Sequence, residues 1–144
     1  MGRNIPSLLR LAPDARIIGY DLPNLVELAN VYLGPEVFKK IEWLNPPPTA
    51  LRIHTYDFVV ADISFQHLDE SELRLVLTIL KDRLQPNGKL WVAGRWWSDY
   101  KHKSVWEMVL DYFDPVTPLK LDEAVGDNHQ QVLFRPNPMN MQSK

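Results

Sequence analysis

Tyr56-Asp57-Phe58-Val59-Val60-Ala61-Asp62 and Leu90-Trp91-Val92-Ala93 are two apolar runs bracketing a segment of helical periodicity. Phe58 to Ala61 is uninterrupted by polar residues and stops at an acid, as a strand covered on both faces does. Asp69 then offers a helix cap, with Glu72 three residues on completing a capping box. Leu73, Val76, Leu77, Leu80 and Leu84 recur at helical spacing and define the buried face of the helix that follows. Pro86-Asn87-Gly88 is a turn by composition, and it delivers the chain into the second apolar strand. Two fully apolar strands joined by an amphipathic helix predict a parallel sheet with helices on both faces.

Working outward, the same alternation continues. Residues 4–12 place Ile5, Leu8, Leu9 and Ala12 on one helical face, with Pro6 in the first turn. Pro13-Asp14 stops that helix, and residues 15–20 are a short strand built on Ile17, Ile18 and Tyr20. The next helix is expected from Asn24, paired with Glu27 in a capping-box arrangement, with Leu25, Leu28, Ala29 and Tyr32 turned inward and Gly34-Pro35 at its end. Val37 to Leu44 has two readings, a helical extension or an alternating edge strand at Ile41-Glu42-Trp43-Leu44. Downstream, Ser104 with Glu107 starts a helix packed through Trp106, Val109, Leu110 and Phe113. Val116–Leu121 and Gln130–Phe134 then form a hairpin across the polar loop Asp122–His129. The expected architecture is α/β, a mostly parallel Rossmann-like sheet with an antiparallel C-terminal edge strand. A flavodoxin-like or dehydrogenase-like layout stays open, although a terminal hairpin suits neither well.

The 144 residues suit one domain, expected over 1–135, with a polar tail at 136–144. An apolar fraction of 45% and a formal net charge of -2 describe an ordinary globular chain, without the bulk positive charge that nucleic acid attracts. Cys is absent, which removes disulfides, thiolate metal sites and thiol nucleophiles. The apolar runs are too short for a membrane span and the N-terminus has no signal-peptide pattern, so a cytoplasmic protein is expected. Pro46-Pro47-Pro48 makes a stiff connector. His54, His67, His102 and His129 lack zinc-like spacing. No phosphate loop and no G-x-S-x-G elbow occur in the chain.

Three places carry chemistry. Asp21 closes the strand Arg16–Tyr20 at the carboxyl edge, where open α/β sheets bind ligands. A carboxylate there can accept the hydroxyl hydrogens of an adenosine ribose, or simply begin a turn with Leu22-Pro23-Asn24. Asp62 ends the strand before Ile63-Ser64-Phe65-Gln66-His67-Leu68, facing an amine or the methionyl end of a cofactor, or capping a local turn. His67 is the one imidazole in that loop, a side-chain type suited to a base or to a hydrogen-bonded structural role. Gly94-Arg95-Trp96-Trp97-Ser98-Asp99-Tyr100-Lys101-His102-Lys103 mixes basic and aromatic side chains that can stack on a planar substrate, bind single-stranded nucleic acid, or form a lid or partner surface.

Taken together, the chain resembles class I S-adenosylmethionine-dependent methyltransferases over residues 2–134. Leu84-Gln85-Pro86-Asn87-Gly88-Lys89-Leu90 is similar to that family's L-x-P-G-G-x-L turn. Ala15 to Asp21 resembles the second strand, Tyr56 to Asp62 the fourth, and Met1-Gly2-Arg3 the last part of the glycine-rich loop. The resemblance implies S-adenosylmethionine as cofactor, with Asp21 on its ribose, Leu22 against adenine, Gly2 in the methionyl-side wall, and Asp62 and Ile63 shaping the pocket. It implies a small-molecule oxygen or nitrogen as methyl acceptor, with His67 as base and Arg95, Trp96 and Trp97 as substrate contacts. The family's first strand and most of its glycine loop have no counterpart here, so the sheet is expected to be incomplete. Direct pairing of the flanking strands, a second copy, a complementing chain, or a truncated start would each account for that. A non-catalytic methyltransferase-like subunit is the alternative function, and a nucleic-acid module around Arg95–Lys103 is disfavoured by the net charge.

Overall fold

The structure, a computed structural model, describes residues 5–62, 65, 68–95, 105–120 and 129–138, and for Asp62, Arg95 and His129 the backbone alone. The chain divides into two compact units, Met1–Leu51 and Arg52–Lys144.

The first unit holds α1 (Ile5–Leu11), β1 (Ile17–Tyr20), α2 (Pro23–Leu33), α3 (Pro35–Phe38) and β2 (Ile41–Leu44). β1 and β2 pair in parallel, Ile17 opposite Ile41 and Gly19 opposite Trp43. Both readings of residues 37–44 are therefore realised in succession, a helical turn and then a strand. Gly34, at φ 84°, separates α2 from α3 in a conformation that side chains with a Cβ rarely adopt.

α2 departs from expectation in two respects. Leu22 is its N-cap and Pro23 its first residue, with no side-chain cap, so the Asn24–Glu27 box does not form. The physical reason is Pro23, whose fixed φ and missing N–H favour the first helical position. Of the expected inward stripe, Ala29 is fully buried, but Leu28 and Tyr32 are 51% and 61% exposed, and Val31 is 83% exposed beside them.

A 3-10 segment, Pro48–Ile53, leads to the second unit: β3 (Tyr56–Asp62), α4 (Glu70–Arg83), β4 (Leu84–Arg95), α5 (Val105–Leu110), β5 (Phe113–Pro115) and β6 (His129–Pro136). Its four strands are ordered β3-β4-β6-β5. β3 and β4 are parallel, and β6 runs antiparallel to both β4 and β5. β6 is the antiparallel C-terminal strand expected from the sequence, and it lies one place in from β5. Each unit is α/β and holds one parallel strand pair, the second adding the antiparallel β6, and together these are the elements of an incomplete Rossmann-like sheet.

The capping box of α4 forms as expected. Asp69 Oδ1 accepts the Glu72 amide at 2.8 Å, and Glu72 Oε1 accepts the Asp69 amide at 3.2 Å. The buried face comprises Leu73, Val76, Leu77, Ile79 and Leu80. With Leu90 and Val92 of β4, Val132 and Phe134 of β6, and Trp106, Met108 and Val109 of α5, these residues make the core of the second unit. Trp106 stacks on Phe134 with ring centroids 6.4 Å apart. Asn137 fastens the end of β6 to the turn after α5, its amide reaching Tyr112 O at 3.0 Å and its Nδ2 reaching Asp111 O at 3.2 Å.

The expected strand at Val116–Leu121 is displaced: the ladder with β6 is made by Phe113–Pro115 instead. Pro115 and Pro118 lack the N–H groups that a continued ladder needs. Past Pro115 the chain follows β6 without a regular ladder: the Val116 and Thr117 amides both donate to Leu133 O, at 2.7 and 3.3 Å, Thr117 Oγ1 accepts Leu133 N at 2.9 Å, and Gln130 bridges both backbone groups of Lys120.

Pro86-Asn87-Gly88 falls inside the span of β4, where the register jumps from Tyr56 opposite Leu84 to Phe58 opposite Lys89. Two steps along β3 thus match five along β4, and the turn expected here is accommodated as a bulge. Gly88 is required in it. A Cβ there would sit 2.8 Å from Leu84 Cδ2 and 2.9 Å from Gln85 O.

Candidate functional site

Parallel pairing brings the carboxyl ends of β3 and β4 to one edge of the second unit, with Asp62 in register with Ala93. Arg95 follows two residues later, still in β4 and opposite His129. The sequence-derived candidates Asp62 and Arg95 therefore share a sheet edge. Their side chains, and Gly2, Ile63, His67, Trp96 and Trp97 altogether, lie outside the described residues. Phe65 is buried and its carbonyl accepts the Leu68 amide at 3.2 Å, just ahead of the Asp69 cap.

Asp21 and Leu22 occupy the carboxyl end of β1 in the first unit. The Asp21 amide donates to Leu44 O at 3.1 Å, which carries the β1–β2 pairing one residue past the strand. Its side chain turns back locally, Oδ1 accepting the Leu22 amide at 2.8 Å. Oδ2 accepts no hydrogen bond from the described residues. Leu22, 50% exposed, presents an apolar side chain next to it. Pro23 then turns the chain into α2, so the acid is held between a paired backbone and a fixed helix start.

The sequence reading missed how β1 is backed. Trp43 lies directly over Gly19, so close that a Cβ on Gly19 would enter the indole ring. The ring stacks on Phe38, centroids 5.6 Å apart and planes 25° from parallel, and its Nε1 is buried without a hydrogen-bond partner among the described residues. Gly19 and Asp21 are two residues apart and so lie on one face of the strand. The Gly19–Trp43 contact thereby sets the strand that aims Asp21. The signal in the sequence was a lone glycine inside an apolar strand, which marks close approach of another group.

At the amino end of the same strand, Arg16 pairs with Glu42 at 2.8 Å across the β1–β2 step. Both side chains are well exposed, so the pair adds little stability and serves chiefly to favour the register. In the second unit Arg74 reaches Glu70 at 3.4 Å and Asp111 at 3.8 Å. Hydrogen bonding to Tyr112, then to Glu70, raises its already high pKa, so it stays a cation and ties α4 to the turn after α5. Among the described residues no three His, Asp or Glu side chains gather as a metal site. No helix among them is long and apolar enough to cross a membrane.

No family model and no curated protein sequence matches the chain. Solved structures do. An O-methyltransferase family protein from Burkholderia thailandensis superposes with a TM-score of 0.69 at 13% identity, over 93% of this chain and 47% of that one. The chain has the class I S-adenosylmethionine-dependent methyltransferase fold. Its sheet is an incomplete version of that fold. The glycopeptide N-methyltransferase MtfA, complexed with S-adenosyl-L-homocysteine, gives a TM-score of 0.66 at 17% identity, over 95% of this chain and 79% of MtfA. A pericyclic reaction enzyme gives 0.65 at 10% identity, over 94% of this chain and 40% of that one. The chain thus spans less than half the length of two of these three proteins, and the fold is shared by different chemistries.

Proposed function

We propose that the chain is an S-adenosylmethionine-dependent methyltransferase-like domain, its two compact units belonging to a single domain over residues 1–135, that acts on a small-molecule oxygen or nitrogen when its site is complete. The observation that carries this is Asp21, held at the end of a parallel strand with Oδ2 unclaimed by the described residues. That geometry fits a ribose, whose hydroxyls need a carboxylate acceptor at the edge of the sheet. The bound cofactor would supply an electrophilic methyl group. The part left to the chain is positioning, since direct displacement requires donor and acceptor in line.

In this reading Asp21 accepts the ribose hydroxyls and Leu22 covers the adenine. Gly2 lies along the methionyl side, and Asp62 and Ile63 shape the pocket. His67 takes the proton from a hydroxyl acceptor, and Arg95, Trp96 and Trp97 hold that acceptor. The support is the fold and the shared sheet edge of Asp62 and Arg95. MtfA, an N-methyltransferase, and the O-methyltransferase relative frame the two acceptor classes. Calorimetric titration with S-adenosylhomocysteine tests the cofactor half: stoichiometric binding that is lost in Asp21→Ala supports it, and no binding by the folded chain refutes it. Unchanged methyl transfer by His67→Ala would remove His67 from the mechanism.

A second reading, a non-catalytic methyltransferase-like subunit, is favoured by the outward apolar stripe of Leu28, Val31 and Tyr32 on α2. Exposed stripes of this kind mark contact surfaces. Absence of cofactor binding together with recovery of a stoichiometric partner would select it.

A further inference from the structure

Asn87 precedes Gly88, and no other Asn of the chain precedes a Gly. That order joins an electrophile to a nucleophile. A five-membered ring closes when the nitrogen of the following peptide attacks the Asn side-chain carbon, and a Gly there puts no Cβ in the path. The structure adds three features to the pair. Asn87 is exposed while Gly88 is buried, so the side-chain amide stands in water beside a packed backbone. Residues 85–88 have no partner opposite them in β3, whose register passes from Leu84 to Lys89, nor in β6, whose pairing starts at Leu90. The Asn87–Gly88 peptide thus belongs to the bulge and not to a paired stretch. Last, Lys89 Nζ donates to Asn87 O at 2.9 Å.

The geometry points to Asn87 as a site of spontaneous deamidation, promoted by Lys89 and yielding chiefly isoaspartate. Loss of the Gly88 N–H proton places negative charge on Asn87 O, the other end of the same amide, and that oxygen already accepts from the Lys89 ammonium. A cation hydrogen-bonded to the charged form favours it. The Gly88 nitrogen then bonds to Asn87 Cγ, the Cγ–Nδ2 bond breaks, and ammonia departs carrying the proton. Water opens the resulting succinimide at one of its carbonyl carbons. Attack at Cγ gives aspartate. Attack at the main-chain carbon, whose oxygen Lys89 polarises, breaks its bond to the Gly88 nitrogen and gives isoaspartate. In that product the group facing Lys89 is a full carboxylate, and the ammonium gains an ion pair. The main chain now runs through Cβ and Cγ and is one atom longer. It lengthens inside a bulge where even one carbon added to Gly88 would stand 2.8 Å from Leu84 Cδ2 and 2.9 Å from Gln85 O. The reaction consumes only water and does not depend on cofactor binding or methyl transfer.

Peptide mapping by mass spectrometry, after the folded chain has stood at neutral pH and body temperature, reports conversion at each Asn. Residue 87 should convert ahead of every other Asn, take up an oxygen from oxygen-18 water, and fragment by electron transfer chiefly as isoaspartate. Lys89→Met should slow the conversion about two- to fivefold, the effect of one exposed charge on the barrier. Lys89→Arg should restore it, with circular dichroism verifying that each variant is folded. In urea the parent chain and Lys89→Met should convert at equal rates, because the contact with Asn87 O is then lost. The converted chain should unfold at a lower urea midpoint than the fresh one. An Asn87 that survives in the folded chain while converting in urea overturns the proposal. So do equal rates for the folded parent and folded Lys89→Met, and so does a product that is chiefly aspartate.

Discussion

Replacing Gly19 by Ala tests whether Trp43 fixes the strand that aims Asp21. The new Cβ would stand 3.0 Å from Trp43 Cη2 and closer still to two other ring atoms, against ordinary contacts of 3.4–4 Å. The backbone of β1 is held by its pairing with β2, so the indole must move, and moving it disturbs the stack on Phe38. Overpacking of this kind costs about 1–3 kcal/mol. In a Trp43→Ala background the obstacle is gone, and Gly19→Ala should be neutral or stabilising by up to about 0.5–1 kcal/mol, because Gly weakens a strand interior. The coupling between the two sites should therefore be roughly 1–4 kcal/mol. Urea unfolding of the four chains of the cycle, followed by far-ultraviolet circular dichroism, gives the free energies. Hydrogen exchange at Ile17–Tyr20 should place the loss in β1. Equal costs of Gly19→Ala with and without Trp43 would refute the reasoning.

Other substitutions separate binding from stability. Asp21→Asn should leave the unfolding midpoint almost unchanged, since the amide oxygen still accepts the Leu22 N–H, while weakening S-adenosylhomocysteine binding tenfold or more by about 1.4 kcal/mol; titration calorimetry beside thermal melts checks this. Phe134→Ala should cost about 3–5 kcal/mol, because the ring is fully buried and stacked on Trp106; a urea midpoint shift measures it. The Asp69 carboxyl is held below its ordinary value of 3.8, first by the Glu72 amide and then by Ser71. Its folded pKa is depressed, so its contribution is complete above that ordinary value and disappears as pH falls through the lower folded one. Exchange of the Glu72 amide should accelerate relative to the α4 interior over that acidic window, and Asp69→Ala should abolish the difference.

Legibility in the sequence followed locality. α4 was readable because its cap, its counter-cap and its apolar spacing all lie within the same few turns, and the structure has Asp69, Glu72, Leu73, Val76, Leu77 and Leu80 in those places. β3 and β4 were readable as unbroken apolar runs with an acid or a bulge at their ends. α2 was misread because periodicity locates an apolar stripe but not the surface that covers it, and Leu28 and Tyr32 prove exposed. Its start was misplaced because Pro23 outweighed the capping potential of Asn24. β5 shifted because ladder formation depends on N–H groups that Pro115 and Pro118 lack, a backbone property hidden behind an alternating side-chain pattern. At the candidate site, Asp21 was legible as a strand-end acid. Trp43 was not, since its contact with Gly19 spans two strands and an intervening pair of helices.

The placement of β6 has a consequence for synthesis. The last strand of the described chain sits between β4 and β5, with Phe134 opposite Leu90. Every strand pair on that side of the sheet includes β6, and the ring that stacks on Trp106 comes from it. A nascent chain halted before His129 has β3, α4 and β4 in hand but leaves β4 bare and β5 with nothing to bond. The second unit is therefore completed only once β6, its last described strand, has been synthesised. Until then the edge of β4 on the β6 side is without its strand and is open to chaperones and to neighbouring nascent chains.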